Sequence, residues 1–128
     1  MTRILVAEDV PDIRELISLT LTHSGFEVIC AADGVEAIEA ATAHDFDLIL
    51  LDVLMPRMTG YEACQTLRSR EETKDIPIIF LSAKGQESEV RAGKEAGADD
   101  YIIKPFAPAE LTQKVRESLR LQGNHGDS

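Results

Sequence analysis

The chain has only two cysteines, Cys30 and Cys64, which cannot complete a structural zinc site without other ligands. Both sit in apolar patterns, so they are expected as reduced core residues of a cytoplasmic protein. No apolar run approaches the ~20 residues a bilayer needs. The longest runs, Leu48 to Leu51 and Ile76 to Leu81, are strand-sized. Met1-Thr2-Arg3-Ile4 leads directly into a strand pattern, and no signal or transit peptide is expected ahead of the fold. Positive charge is scarce: 13 Lys and Arg face 23 Asp and Glu, for a net charge of −10. Such a field repels phosphate backbones and argues against direct binding of nucleic acid. Repeats, low-complexity blocks and internal linkers are missing too. There is also no P-loop and no G-x-G-x-x-G, so nothing in the chain is built to hold ATP.

What remains is one ordinary domain. A chain of 128 residues with 44% apolar residues can bury about two-thirds of the surface its unfolded form exposes, and has no room for a second core. The domain is expected over residues 1–121, with 122–128 as a polar, frayed tail. Short apolar runs alternate with stretches of helical period. Ile4-Leu5-Val6-Ala7, Phe26 to Ala31, Leu48 to Leu51, Ile78 to Leu81 and Tyr101-Ile102-Ile103 read as strands. Helical stripes follow near 11–24 (Ile13, Leu16, Ile17, Leu21), 34–44 (Val35, Ile38, Ala41), 60–70 (Tyr61, Cys64, Leu67), weakly near 86–96 (Val90, Gly93, Ala96), and near 108–121 (Leu111, Val115, Leu119). Asp33-Gly34-Val35-Glu36 and Thr59-Gly60-Tyr61-Glu62 have the form of capping boxes. Pro11 and Pro108 suit a first helical turn, and Gly25 and Gly97 suit helix ends.

Strand–helix alternation repeated five times, with continuously apolar strands, predicts a doubly wound α/β fold: a five-stranded parallel sheet covered by five helices on both faces. Right-handed crossovers make all strands point the same way, so their carboxyl ends share one edge, where ligands of open α/β sheets bind. Strand one ends in Glu8 and Asp9, strand three in Asp52, strand four in Ser82, and strand five in Lys104 followed by Pro105. Three carboxylates at one rim repel, and one lysine offsets them only in part. Either some take a proton or a divalent cation joins them. An all-oxygen donor set selects a hard ion, Mg²⁺, with Mn²⁺ as a substitute. A carboxylate beside Mg²⁺, with a lysine and a hydroxyl ready for incoming oxygens, suits acceptance of a phosphoryl group as an acyl phosphate. Each residue alone has an ordinary explanation: Asp9 a helix cap, Asp52 a solvated strand end, Lys104 its surface partner, Ser82 a loop hydroxyl. Asp12 serves the helix dipole in the first turn. Jointly, five such residues on four strand ends are hard to dismiss.

Those residues resemble the receiver domain of two-component response regulators. The likeness runs from about Arg3 to Leu121. It is carried by Ile4-Leu5-Val6-Ala7-Glu8-Asp9, Leu48-Ile49-Leu50-Leu51-Asp52-Val53-Leu54-Met55-Pro56, Leu81-Ser82-Ala83-Lys84 and Gly97-Ala98-Asp99-Asp100-Tyr101-Ile102-Ile103-Lys104-Pro105-Phe106. The resemblance implies a flavodoxin-like (CheY-like) fold of strand order 2-1-3-4-5 and a cis Lys104–Pro105 bond. It implies Asp52 as the phosphorylated residue, with Mg²⁺ held by Asp9, Asp52 and the main-chain carbonyl of Leu54, and by Glu8 mainly through water. It implies that Ser82 and Lys104 bind the phosphoryl group, that Tyr101 turns inward when Ser82 is drawn to it, and that Gly60 marks the entry to helix three. Leu54 and Lys84 occupy variable positions that tune phosphate lifetime.

The same resemblance implies a sensor histidine kinase or histidine phosphotransfer protein as donor, meeting helix one and the loop after strand five. The implied output face is helix four, strand five and helix five. In winged-helix regulators this face dimerises through salt bridges, to which Asp99, Asp100, Glu110 and Lys114 would contribute; Val90 replaces an arginine of that set. Output then passes to a protein partner or to an effector domain on a longer chain. Catalysis is expected only on the domain's own phosphate, not as an enzyme. Three competing readings are weaker. A haloacid dehalogenase-like phosphatase needs D-x-D after strand one, whereas Asp9 is followed by Val10, Pro11 and Asp12. A flavodoxin-like electron carrier needs a hydroxyl-rich phosphate loop where Glu8-Asp9 stands. A degenerate receiver need not keep the intact acidic and basic set.

Overall fold

Branched and leucine-rich runs favour extended backbone, and the helical-period stretches between them favour helices. The computed structural model describes residues 1–83 and 87–127, without the side chains of Glu87, Glu89, Val90 and 122–127. Its elements alternate strictly: β1 (Arg3–Ala7), α1 (Pro11–His23), β2 (Glu27–Ala31), α2 (Gly34–Ala43), β3 (Leu48–Asp52), α3 (Gly60–Arg68), β4 (Ile78–Ala83), α4 (Glu87–Ala96), β5 (Asp100–Lys104) and α5 (Pro108–Asp127). All strand pairs are parallel, in the order β2-β1-β3-β4-β5. The doubly wound fold and its strand order are as expected. Lys84 and the side chain of Val90 lie outside the described residues.

The helices divide between the two faces of the sheet, and the strand pleat sends alternate residues to each. Leu5, Ala7, Ile49, Leu51, Ile78 and Phe80 pack with Ala37, Ala63, Cys64 and Leu67, on the face covered by α2, α3 and α4. Ile4, Val6, Leu48, Leu50, Ile79 and Leu81 pack with Ile17, Leu21, Leu111 and Val115, on the face covered by α1 and α5. Ile4 to Ala7 and Leu48 to Leu51 have no exposed surface at all. That is why these central strands read as unbroken apolar runs rather than as an alternating pattern.

The helix boundaries follow local chemistry. Pro11 opens α1 after Val10, which has no side-chain cap, and Asp12 lies in the first turn. Asp33 caps α2 by accepting from the Glu36 N–H, and Thr59 and Glu62 form a reciprocal capping box on α3. Gly25 and Gly97 take φ of +98° and +110° just beyond α1 and α4. The Lys104–Pro105 bond is cis.

The structure departs from expectation in two places. Cys64 is buried, and burial pushes its thiol up to about 11. Cys30, expected in the core, is exposed. It shares a face with half-buried Val28 on the edge strand β2, where one helix covers only part of the strand. The second concerns 122–127, expected as a frayed tail; here their backbone continues α5 past the last periodic apolar residues. Extending an existing helix costs far less than nucleating one. Among the described residues, no helix is long and apolar enough to cross a membrane.

Candidate functional site

The parallel register fixes which residues can meet. Ala7 pairs with Leu51, Asp52 with Leu81, Ser82 with Ile103 and Ala83 with Lys104, so the four strand ends finish at one edge. One carboxylate oxygen from each of Glu8, Asp9 and Asp52 lies within 4.8 Å of the others. Lys104 reaches the same point: its Nζ donates to Asp52 Oδ1 at 3.0 Å and stands 3.5 Å from Glu8 Oε2.

The site is nearly closed to solvent. Glu8 has no exposed surface, and Asp52 and Ser82 are buried. Asp9 is half-buried. Glu8 Oε1 accepts from the Val10 N–H at 3.3 Å, but Oε2 has no hydrogen-bond partner, and neither has Ser82 Oγ. Buried polar atoms are normally satisfied, so each such orphan needs a reason. Burial is the main cause that pushes Glu8 up to about 7, with the charge of Asp52 adding and Lys104 opposing. Burial also raises Asp52, against the hydrogen bond and charge of Lys104 and with help from Asp9. For Lys104, burial alone would lower the pKa; the hydrogen bond and charge of Asp52, and then Glu8, outweigh it and raise it.

This donor set fits a hard dication. It is all oxygen, it holds more negative charge than one lysine offsets, and a buried carboxylate oxygen in it has no donor. Glu8, Asp9 and Asp52 are therefore the side chains that could hold it. The Leu54 side chain is 65% exposed at the rim.

Close packing aims Asp52. The Gly60 N–H donates to the Val53 carbonyl at 2.8 Å and closes the loop after β3. A Cβ at Gly60 would overlap the Asp52 main-chain carbonyl and come within 2.9 Å of the Phe80 ring. Only glycine lets α3 begin this close to the acceptor strand. Tyr101, three residues before Lys104, is half-buried, with the ammonium groups of Lys94 and Lys114 at 5.7 and 5.8 Å from its ring centre. Asp100 pairs with Lys114 at 3.3 Å, Asp99 pairs with Arg68 at the end of α3 at 2.8 Å, and Glu110 is exposed.

The structure brings together Glu8, Asp9, Asp52 and Lys104, sets Ser82 at the same edge, and holds Tyr101 apart on the neighbouring face. Two residues near the site had no sequence signal. Arg14 Nη1 donates to the Glu8 carbonyl at 2.9 Å, one turn into α1. Arg57 pairs with Asp33 across 24 residues.

A doubly wound parallel sheet with an acidic cluster and a lysine at its carboxyl edge defines a phosphoacceptor signalling domain. The response regulator receiver domain matches residues 4–116, and the chain belongs to that family. It is 42% identical over 94% of its length to the DNA-binding dual master transcriptional regulator RpaA of Synechocystis sp., and covers 50% of that protein. The chain thus spans about half the length of the curated relatives it matches. Among solved structures, a putative response regulator from Chloroflexus aurantiacus superposes with TM-score 0.90 at 39% identity, covering 93% of this chain and 98% of that one. The receiver domain of the sensor histidine kinase PA1611 from Pseudomonas aeruginosa, solved with a magnesium ion coordinated in its active site cleft, gives TM-score 0.86 at 33% identity, covering 92% and 97%.

Proposed function

We propose that this receiver domain accepts a phosphoryl group on Asp52, in a reaction that needs a divalent cation, Mg²⁺ or Mn²⁺, and that the modification resets the face formed by α4, β5 and α5. One observation carries the reading: Glu8, Asp9 and Asp52 converge within 4.8 Å while Lys104 holds Asp52 at 3.0 Å. The magnesium ion in the PA1611 receiver cleft supports the choice of ion.

An Asp52 carboxylate oxygen attacks phosphorus, the bond from phosphorus to the donor's imidazole nitrogen breaks, and the freed imidazole takes up a proton. A bound dication supplies the positive charge that lets three carboxylates and the phosphoryl oxygens share one pocket. Lys104 gives its ammonium to a phosphoryl oxygen, and the Ser82 hydroxyl gains the partner it lacks. Both bonds exist only in the phosphorylated state, so they bias a pre-existing equilibrium. Ser82 moving toward the phosphate vacates space for Tyr101, whose position alters the output face. Catalysis is confined to gain and loss of the domain's own phosphate.

The donor is a sensor histidine kinase or histidine phosphotransfer protein. An apolar hollow lined by Ile13, Leu16, Pro105 and Phe106 adjoins Lys104 and supports docking there. Downstream, the output goes to a protein target or to an effector domain, as in the transcriptional regulators it resembles. The setting is cytoplasmic. The test is incubation with Mg²⁺ and acetyl phosphate followed by intact mass. One phosphate is gained by the wild type and none by Asp52→Asn or in excess chelator. A gain that survives Asp52→Asn would overturn the assignment.

A further inference from the structure

Arg57 is the one residue other than glycine, among the described residues, with a positive φ, +67°. A side chain with a Cβ enters this region only at a cost, so something must hold it there. The holder is Asp33. Arg57 Nε donates to Asp33 Oδ2 at 2.8 Å and Nη2 donates to Oδ1 at 3.1 Å, a two-pronged ion pair. Asp33 is itself fixed: its side chain is 11% exposed, its Oδ1 also accepts from the Glu36 N–H at 2.8 Å, and Glu36 accepts from the Ala32 N–H at 2.8 Å. The hydrogen bond from Arg57 is the leading cause that holds the Asp33 carboxyl below its usual range.

A second contact sits beside the first. A Cβ at Gly34 would overlap the Met58 carbonyl and reach 2.7 Å from the Met58 Cβ, so the loop backbone lies against the first turn of α2. Within the loop, the Met58 N–H donates to the Pro56 carbonyl at 2.7 Å, and the Gly60 N–H closes it on Val53. The segment from Val53 to Thr59 is therefore pinned at its ends to β3 and α3, and in its middle to α2. It leaves β3 directly after Asp52 and carries Leu54, three residues before Arg57.

We propose that Arg57 is a positioning residue for the cation site, its ion pair with Asp33 fixing the loop that leaves β3 at Asp52. The inference rests on the receiver reading above. Without the pair, the loop samples other poses and must be ordered, with Asp52 at its root, when the ion binds. That ordering cost appears as weaker binding. Among the described residues, neither Arg57 nor Asp33 bonds to a ligand side chain, and the Arg57 side chain is 55% exposed, so the effect is that of an exposed ion pair, up to about fivefold.

The test is a Mg²⁺ titration of the unphosphorylated full chain, followed by backbone amide shifts, beside acetyl phosphate labelling rates over the same Mg²⁺ range. Arg57→Gly removes the pair but accepts φ of +67° without strain. Asp33→Asn keeps the α2 cap and loses the charge. Each is expected to raise the half-saturating Mg²⁺ concentration by about three- to fivefold, and the double variant no further, because one interaction is being removed twice. The labelling rate at saturating Mg²⁺ stays within about twofold of wild type. Two results would overturn the proposal while leaving the receiver reading intact: half-saturation unchanged in both single variants, or a reduced plateau with an unmoved midpoint. A wild type with no saturable Mg²⁺ response, or one unaffected by Asp9→Asn, overturns the receiver reading and this inference with it.

Discussion

Lys104 donates to Asp52 at 3.0 Å while standing 3.5 Å from Glu8, so a single ammonium serves two buried carboxylates at once. The arrangement is underbalanced in charge, and most of the behaviour expected of this domain follows from that.

Replacing Lys104 with methionine removes the only cation within the acidic cluster among the described residues. A charge-assisted hydrogen bond of this kind contributes about 1.5–3 kcal/mol, which corresponds to roughly ten- to a hundredfold in rate. Acetyl phosphate labelling at saturating Mg²⁺, followed by mass over time, should slow by that factor. A rate within threefold of wild type would contradict the role given to Lys104.

The pH dependence of the cation-free fold should carry the signature of Glu8. Its pKa rises from the ordinary 4.5 to about 7 on folding. The folded state thus binds the proton more tightly than the unfolded chain does. Stability from this group is complete below pH ~4.5, falls as pH rises through about 7 and is flat above, a change of roughly 3 kcal/mol. Urea unfolding in chelator between pH 5 and 8 checks it: the wild type should weaken relative to Glu8→Gln as pH rises. Parallel curves would show that Glu8 is not held protonated. Added Mg²⁺ should reverse the trend, since it favours the ionised carboxylate.

Leu54 exposes an apolar side chain at the rim and offers no group to orient an attacking water. Leu54→Asn should therefore shorten the life of the acyl phosphate several-fold, with stability changed by no more than ~0.5 kcal/mol, as for other exposed positions. Loss of mass from purified phosphoprotein measures it directly. Equal rates for the two proteins would refute the idea.

Gly60→Ala should destabilise the fold by about 2–3 kcal/mol, since the added Cβ meets the Asp52 carbonyl and the Phe80 ring and neither can move freely. The same shift displaces Asp52, so labelling by acetyl phosphate should fall as well. Urea midpoints of the two proteins decide it; a difference below 0.5 kcal/mol would mean that the loop yields.

The strands, the helix starts and the acidic rim were legible from sequence because each rests on local chemistry. Apolar runs such as Leu48 to Leu51 mark buried parallel strands, and Thr59 with Glu62 caps a helix regardless of its neighbours. Once all strands run parallel, Glu8, Asp9, Asp52, Ser82 and Lys104 must share an edge. The exposure of Cys30 was not legible, since an apolar pattern does not tell an edge strand from a central one. Nor was the pairing of Arg57 with Asp33: an ion pair spanning 24 residues has no periodicity, and either residue reads locally as a turn or a cap. The distances that leave Glu8 Oε2 and Ser82 Oγ without hydrogen-bond partners were likewise decided by packing, because the depth of a pocket depends on how two helical layers close over a sheet. Sequence determined which groups meet at the rim; tertiary structure decided how dry and how unbalanced their meeting place is.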